Sequence, residues 1–86
     1  MLRETLEQKR ERIFNFYKKR LTKDNIECGQ IRFNVIQYVC RFPGIDPFKM
    51  AAVLISEGCN VVFDDSSITE RENKKLKSQV MAYIRQ

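Results

Sequence analysis

The side chains best suited to chemistry in this 86-residue chain are cations. Arg12, Lys18, Lys19, Arg20 and Lys23 crowd one stretch, and Arg71, Lys74, Lys75 and Lys77 crowd another. Clustered this way, lysines and arginines meet phosphates or carboxylates through charge and multiple N–H donors. Proton-transfer chemistry is poorly served. With no histidine present, Ser–His and Cys–His nucleophile activation, imidazole acid–base catalysis and most zinc sites are excluded. No Gly-rich phosphate loop or paired-acid motif organises the remaining lysines and carboxylates. Asp64-Asp65 lacks the further spaced oxygen ligands that Mg²⁺ or Ca²⁺ requires, and is expected instead to favour the positive end of the last helix. The expectation is a protein that is not an enzyme and carries no cofactor or metal.

The net charge of +5 is unevenly spread. Residues 1–23 carry +5, residues 24–65 carry −3 and residues 66–86 carry +3. Basic ends around an acidic middle suit terminal helices that meet a polyanion or an acidic protein surface; the plainer reading is a pair of solvated helix faces. At 43% hydrophobic and 31% charged residues, the composition is that of one folded domain with a thin core, burying roughly 60–65% of its unfolded surface. Cys28, Cys40 and Cys59 are odd in number and form no C-x-x-C pair, which predicts reduced, buried thiols. The first twenty residues are crowded with charge, so neither a secretory signal nor a transmembrane run is expected. A cytoplasmic location without membrane attachment follows.

The elements that must position the cations read as a mainly α, compact four-helix domain spanning residues 1–86. Leu2, Leu6, Ile13, Phe16, Tyr17 and Leu21 fall on one arc of a helix over about 2–21, with Phe14 at its edge. Arg12, Lys9 and Lys19 lie on one flank and Glu4, Glu7 and Glu11 on the other. Thr22 to Asn25 read as a loop. Phe14, Phe16 and Tyr17 offer a homodimer interface, although aromatic residues at helical spacing more often enter a core.

Residues 30–42 are ambiguous. Ile31, Phe33 and Val35 alternate as in a strand, whereas Val35, Ile36, Val39 and Cys40 fit a helix, and a dozen residues without a breaker favour the helix. It would be the central, most buried one. Phe42-Pro43-Gly44 ends it. Asp46 as N-cap and Pro47 at the first helical position open a third helix over 47–57, apolar on nearly every side and stopped by Gly58. Val61, Val62 and Phe63 allow one short strand near 61–63 with no evident partner. Ser67-Ile68-Thr69-Glu70 reads as a capping box opening the last helix over 67–85, with Leu76, Val80, Tyr83 and Ile84 as its apolar stripe.

The run from Val35 to Leu54, a helix ending at Phe42-Pro43-Gly44 followed by an Asp46-capped helix containing Ala51 and Ala52, resembles the opening of a winged helix-turn-helix domain. The resemblance implies a recognition helix that enters the major groove. In this chain that helix starts near Ser67, after a hydrophobic segment longer than the usual turn, and no wing hairpin follows it. On these grounds the leading expectation is a small basic regulatory protein that binds nucleic acid, DNA first. Arg12, Lys18, Lys19, Arg20 and Lys23 would contact phosphates, and Arg71, Lys74, Lys75 and Lys77 would approach the groove. The alternative is a non-enzymatic protein-interaction module, an adaptor or inhibitor that docks on an acidic surface of a partner protein.

Overall fold

A computed structural model describes residues 3–85; Leu2, counted on the first apolar arc, lies outside them. The chain forms four helices and two short strands in the order α1 (Leu6–Cys28), β1 (Ile31–Arg32), α2 (Phe33–Arg41), α3 (Pro47–Ser56), β2 (Val61–Val62) and α4 (Glu70–Ile84). The expected four-helix, mainly α domain is present, with four corrections.

The first concerns α1. Thr22 to Asn25 do not break it; the helix continues to Cys28 and closes on Gly29, whose φ of 79° and N–H to the Asn25 carbonyl at 2.7 Å form a left-handed cap. Local propensity loses here to tertiary contact. Leu21 is fully buried, and the Asn25 side chain accepts a hydrogen bond from the Asn60 amide at 3.1 Å. At the other end Thr5 and Gln8 make a reciprocal capping box.

The second concerns residues 30–42, where the strand reading of Ile31, Phe33 and Val35 holds only at Ile31 and the helix is shorter than expected. Ile31 and Arg32 are strand, and a helix begins at Phe33. The strand partner missing from the sequence is β2, which pairs in parallel with Ile31 opposite Val61 and Arg32 opposite Val62. The third concerns α4, whose N-cap is Thr69 rather than Ser67. Thr69 Oγ1 accepts from the Glu72 amide at 3.1 Å, while Ser67 is held in a turn by the Asp65 carboxylate.

Fourth, the centre of the molecule is α3, not α2. It packs against α1, α2, α4 and β2 and buries Met50, Ala51, Ala52 and Leu54. Two alanines in sequence let neighbouring backbones approach closely. The start of α3 follows the expected chemistry: Asp46 Oδ1 accepts from the Phe48 and Lys49 amides, and Pro47 occupies the first turn. The other Asp46 oxygen accepts from the Tyr83 hydroxyl at 2.6 Å, pinning the end of α4 to the start of α3. Leu21, Ile31, Phe33, Ile36, Cys40, Cys59 and Val80 complete the buried core, and Phe33 stacks against Phe48 and Phe63.

Candidate functional site

Both expected basic clusters occur on helices, the first on α1 and the second on α4. Among the described residues α1 and α4 pack on α3 rather than on each other. Several cations are also matched internally. Arg12 Nε donates to Glu4 Oε1 at 2.9 Å and holds that carboxyl below its ordinary pKa. Lys18, facing inward and largely covered, pairs with Glu57 at 3.1 Å and so tethers α1 to the end of α3. Lys23 approaches Glu27 and Lys74 approaches Glu70, each one helical turn away. Among the described residues Lys19, Arg20, Arg71, Lys75 and Lys77 make no ion pair.

The start of α4, the helix whose cations are expected to approach the groove, is bordered by Asp64, Asp65, Glu70 and Glu72. Ser67 holds the Asp65 carboxyl charged to lower pH than usual. That end of the helix already carries its complement of negative charge, and a phosphate approaching it meets repulsion. Arg71 and Lys75 lie further round, one turn apart on the exposed side of α4.

The first helix is different. Arg12, Phe16, Lys19 and Lys23 recur at i, i+4, i+7 and i+11 and share its exposed face. Of the three aromatics proposed for a dimer interface, Phe14 and Tyr17 pack against the core, and Phe14 also lies under the Lys49 ammonium at 5.4 Å. Only Phe16 points outward, at 63% exposure, edge-on to the Tyr17 ring.

The site that sequence reasoning missed lies where α1 meets α2. Tyr17 and Arg20 from α1 join Tyr38, Val39, Arg41 and Phe42 from the end of α2 around an open groove of about 560 Å³. Tyr38 is 80% exposed and Phe42 99% exposed. Together with Val35, also exposed, these residues stand at 35, 38, 39 and 42, the i, i+3, i+4, i+7 spacing of one helix face. The opposite face of the same helix, Phe33, Ile36 and Cys40, is in the core. The signal was present in the composition: α2 has two apolar faces and only one could be buried by a nine-residue helix at the edge of a small domain. The expectation of a central helix concealed it.

Cys40 is buried, and burial together with the nearby Asp46 carboxylate pushes its thiol up to about 11. Cys59 is buried too, whereas Cys28, expected inside, is exposed; all three thiols are free. Among the described residues no group of three or more His, Cys, Asp or Glu side chains is placed to hold a metal ion, and no helix is long and apolar enough to cross a membrane. Comparison of the chain with protein-family models, with curated proteins and with solved structures finds no match to any of them.

Proposed function

We infer that this chain is a non-catalytic binding module, an adaptor or inhibitor, that docks on an acidic surface of a partner protein through the face shared by α1 and α2. The observation that carries this reading is the outward row of Val35, Tyr38 and Phe42 beside Arg20 and Arg41. Exposed aromatic residues next to arginine are the composition of the energetic centre of protein interfaces. A small domain keeps a fully exposed phenylalanine at some cost in solubility, which a partner removes. Lys19 and Lys23, one helix face away, extend the positive rim.

Nucleic acid binding is the second reading. It is supported by the unpaired Lys19, Arg20, Arg71, Lys75 and Lys77, by the net charge of +5, and by the α2–α3 pair joined through a turn at Gly44, with α4 packed on α3. It ranks lower because α3 separates the basic helices and acids border the start of α4.

Two fluorescent probes separate the readings: a mixed-sequence duplex DNA and a glutamate-rich peptide, each titrated at about 50 and about 200 mM salt. The docking reading expects the peptide to bind and the double variant Arg20→Glu with Arg41→Glu to abolish its binding. Tight duplex binding that collapses with salt, and weakens in the variant Lys74→Glu with Lys75→Glu, would transfer the function to nucleic acid.

A further inference from the structure

The groove between α1 and α2 has a definite shape, and its shape and charge select among occupants. It is lined by residues of the two helices and the cap of α2, and the backbone N–H and C=O groups of a helix interior are used within the helix. No strand edge is offered there, so an incoming segment cannot be held by added sheet hydrogen bonds. A segment entering an apolar groove must satisfy its own backbone groups, and a helix is the element that does so alone. The anchors on α2 also have helical spacing, from Val35 to Phe42, a row of about 10 Å or two turns. Helix faces of this kind pair with a second apolar stripe laid alongside.

Charge decides what flanks that stripe. The groove lining contains Arg20 and Arg41 and no acid. Asp24, one turn beyond Arg20, is half-buried and outside the lining. A second copy of this chain, docked through the same face, would bring two more arginines and no acid to meet them, because a twofold interface sets the same patch against itself. Like charges brought together in a partly dry contact are unfavourable. A base-stacking surface for single-stranded nucleic acid would use the Tyr38 and Phe42 rings but leave the Val35 and Val39 side chains without a role.

We propose that this groove receives an amphipathic helix from an acidic partner, with apolar side chains seated between Tyr17, Tyr38, Val39 and Phe42 and with Glu or Asp on its borders facing Arg20 and Arg41. The proposal rests on the docking reading above and specifies the occupant. The partner helix covers the rings that the free chain exposes, and its acidic border fixes which way round it lies. The same border disfavours self-pairing of this face.

The test uses the full chain and labelled peptides of about 18 residues, long enough to hold a helix in a groove. One carries Leu at i, i+3, i+4 and i+7 with Glu on both flanks; a second has the same composition with two central prolines; a third replaces Glu by Lys. The expected result is saturable binding of the first, at least about ten-fold tighter than of either other. Tyr38→Ser with Phe42→Ser, and separately Arg20→Glu with Arg41→Glu, should each remove that advantage. All four side chains face solvent, so circular dichroism and urea melts of the variants should match the parent. Equal binding of the proline peptide would overturn the helical occupant while leaving acidic docking intact. Absence of binding by both acidic peptides, with no response to either variant pair, would overturn both. Sedimentation showing a dimer that dissociates on Tyr38→Ser with Phe42→Ser would assign the face to a second copy and refute the proposal.

Discussion

Helices α2 and α3 are consecutive, nearly equal in length, joined by a short turn and both rich in apolar residues, yet they have opposite fates. Helix α3 packs against α1, α2, α4 and β2 and buries Met50, Ala51, Ala52 and Leu54, leaving none of its large apolar side chains fully exposed. Helix α2 sits at the edge, gives Phe33, Ile36 and Cys40 to the core and leaves Val35, Tyr38 and Phe42 in water. The difference lies in side-chain size and in the number of neighbours. The small residues Ala51 and Ala52 admit other helices closely, whereas the bulky rings of Tyr38 and Phe42 stand off from the domain. Apolar content alone therefore does not separate a core helix from a docking helix; the count of faces that neighbours can cover does.

The comparison can be broken most severely in α3. Leu54→Ala should lower stability by about 2–5 kcal/mol, since a fully buried leucine leaves a cavity as well as losing its transfer energy. Urea denaturation measures it, and a loss below about 1 kcal/mol would mean α3 is not the packing centre. Next in size is Asp46→Ala, which removes the cap on α3 and the acceptor for Tyr83. A loss of about 1–2 kcal/mol is expected by the same method. On α2 the effect should fall to almost nothing: Phe42→Ser should change stability by less than about 0.5 kcal/mol, as an exposed side chain with no partner does. A large loss there would show that the ring is structural after all.

Titration sharpens the same contrast within α2, between its buried and exposed faces. Burial raises the Cys40 thiol from its ordinary value of 9.0 to about 11 in the folded chain. The unfolded chain therefore releases that proton first, so the contribution of Cys40 is complete below about pH 9 and declines as pH rises through about 11. Replacing Cys40 by Ala should flatten the alkaline decline in urea midpoint over that window. The smallest effect is kinetic. At neutral pH a thiol reagent should label Cys28 quickly and Cys40 and Cys59 only as fast as the fold opens. Equal rates for all three would contradict the burial described.

Much of this arrangement could be read from the residues. Asp46-Pro47 and Gly58 mark the limits of α3 because capping chemistry is local, and the stripe of α4 needs only its own periodicity. What could not be read depends on residues far apart in sequence. The strand at Ile31 exists because Val61 lies beside it, and α1 runs on through Thr22 to Asn25 because Leu21 and Asn25 have distant partners. The candidate site was missed for the same reason. Tyr38 and Phe42 look like core residues until α3, rather than α2, is found at the centre. The basic residues were visible from the start, but only coordinates show that Lys18 belongs to Glu57 and that Arg12 belongs to Glu4.

The parallel pairing of β1 with β2 links the end of the first helix to the approach of the last. It comprises only two residue pairs, and the Ile31 amide donates to the Asn60 carbonyl beside them at 2.8 Å. So short a ladder cannot stand alone, and its two halves are brought together only when α2 and α3 have folded back on each other. It is therefore a latch between the segment before α2 and the segment after α3. Amide exchange at Ile31 should then report on whether α1 and α4 are bound into one cooperative unit, or whether the first helix can swing free while the rest of the protein stays folded.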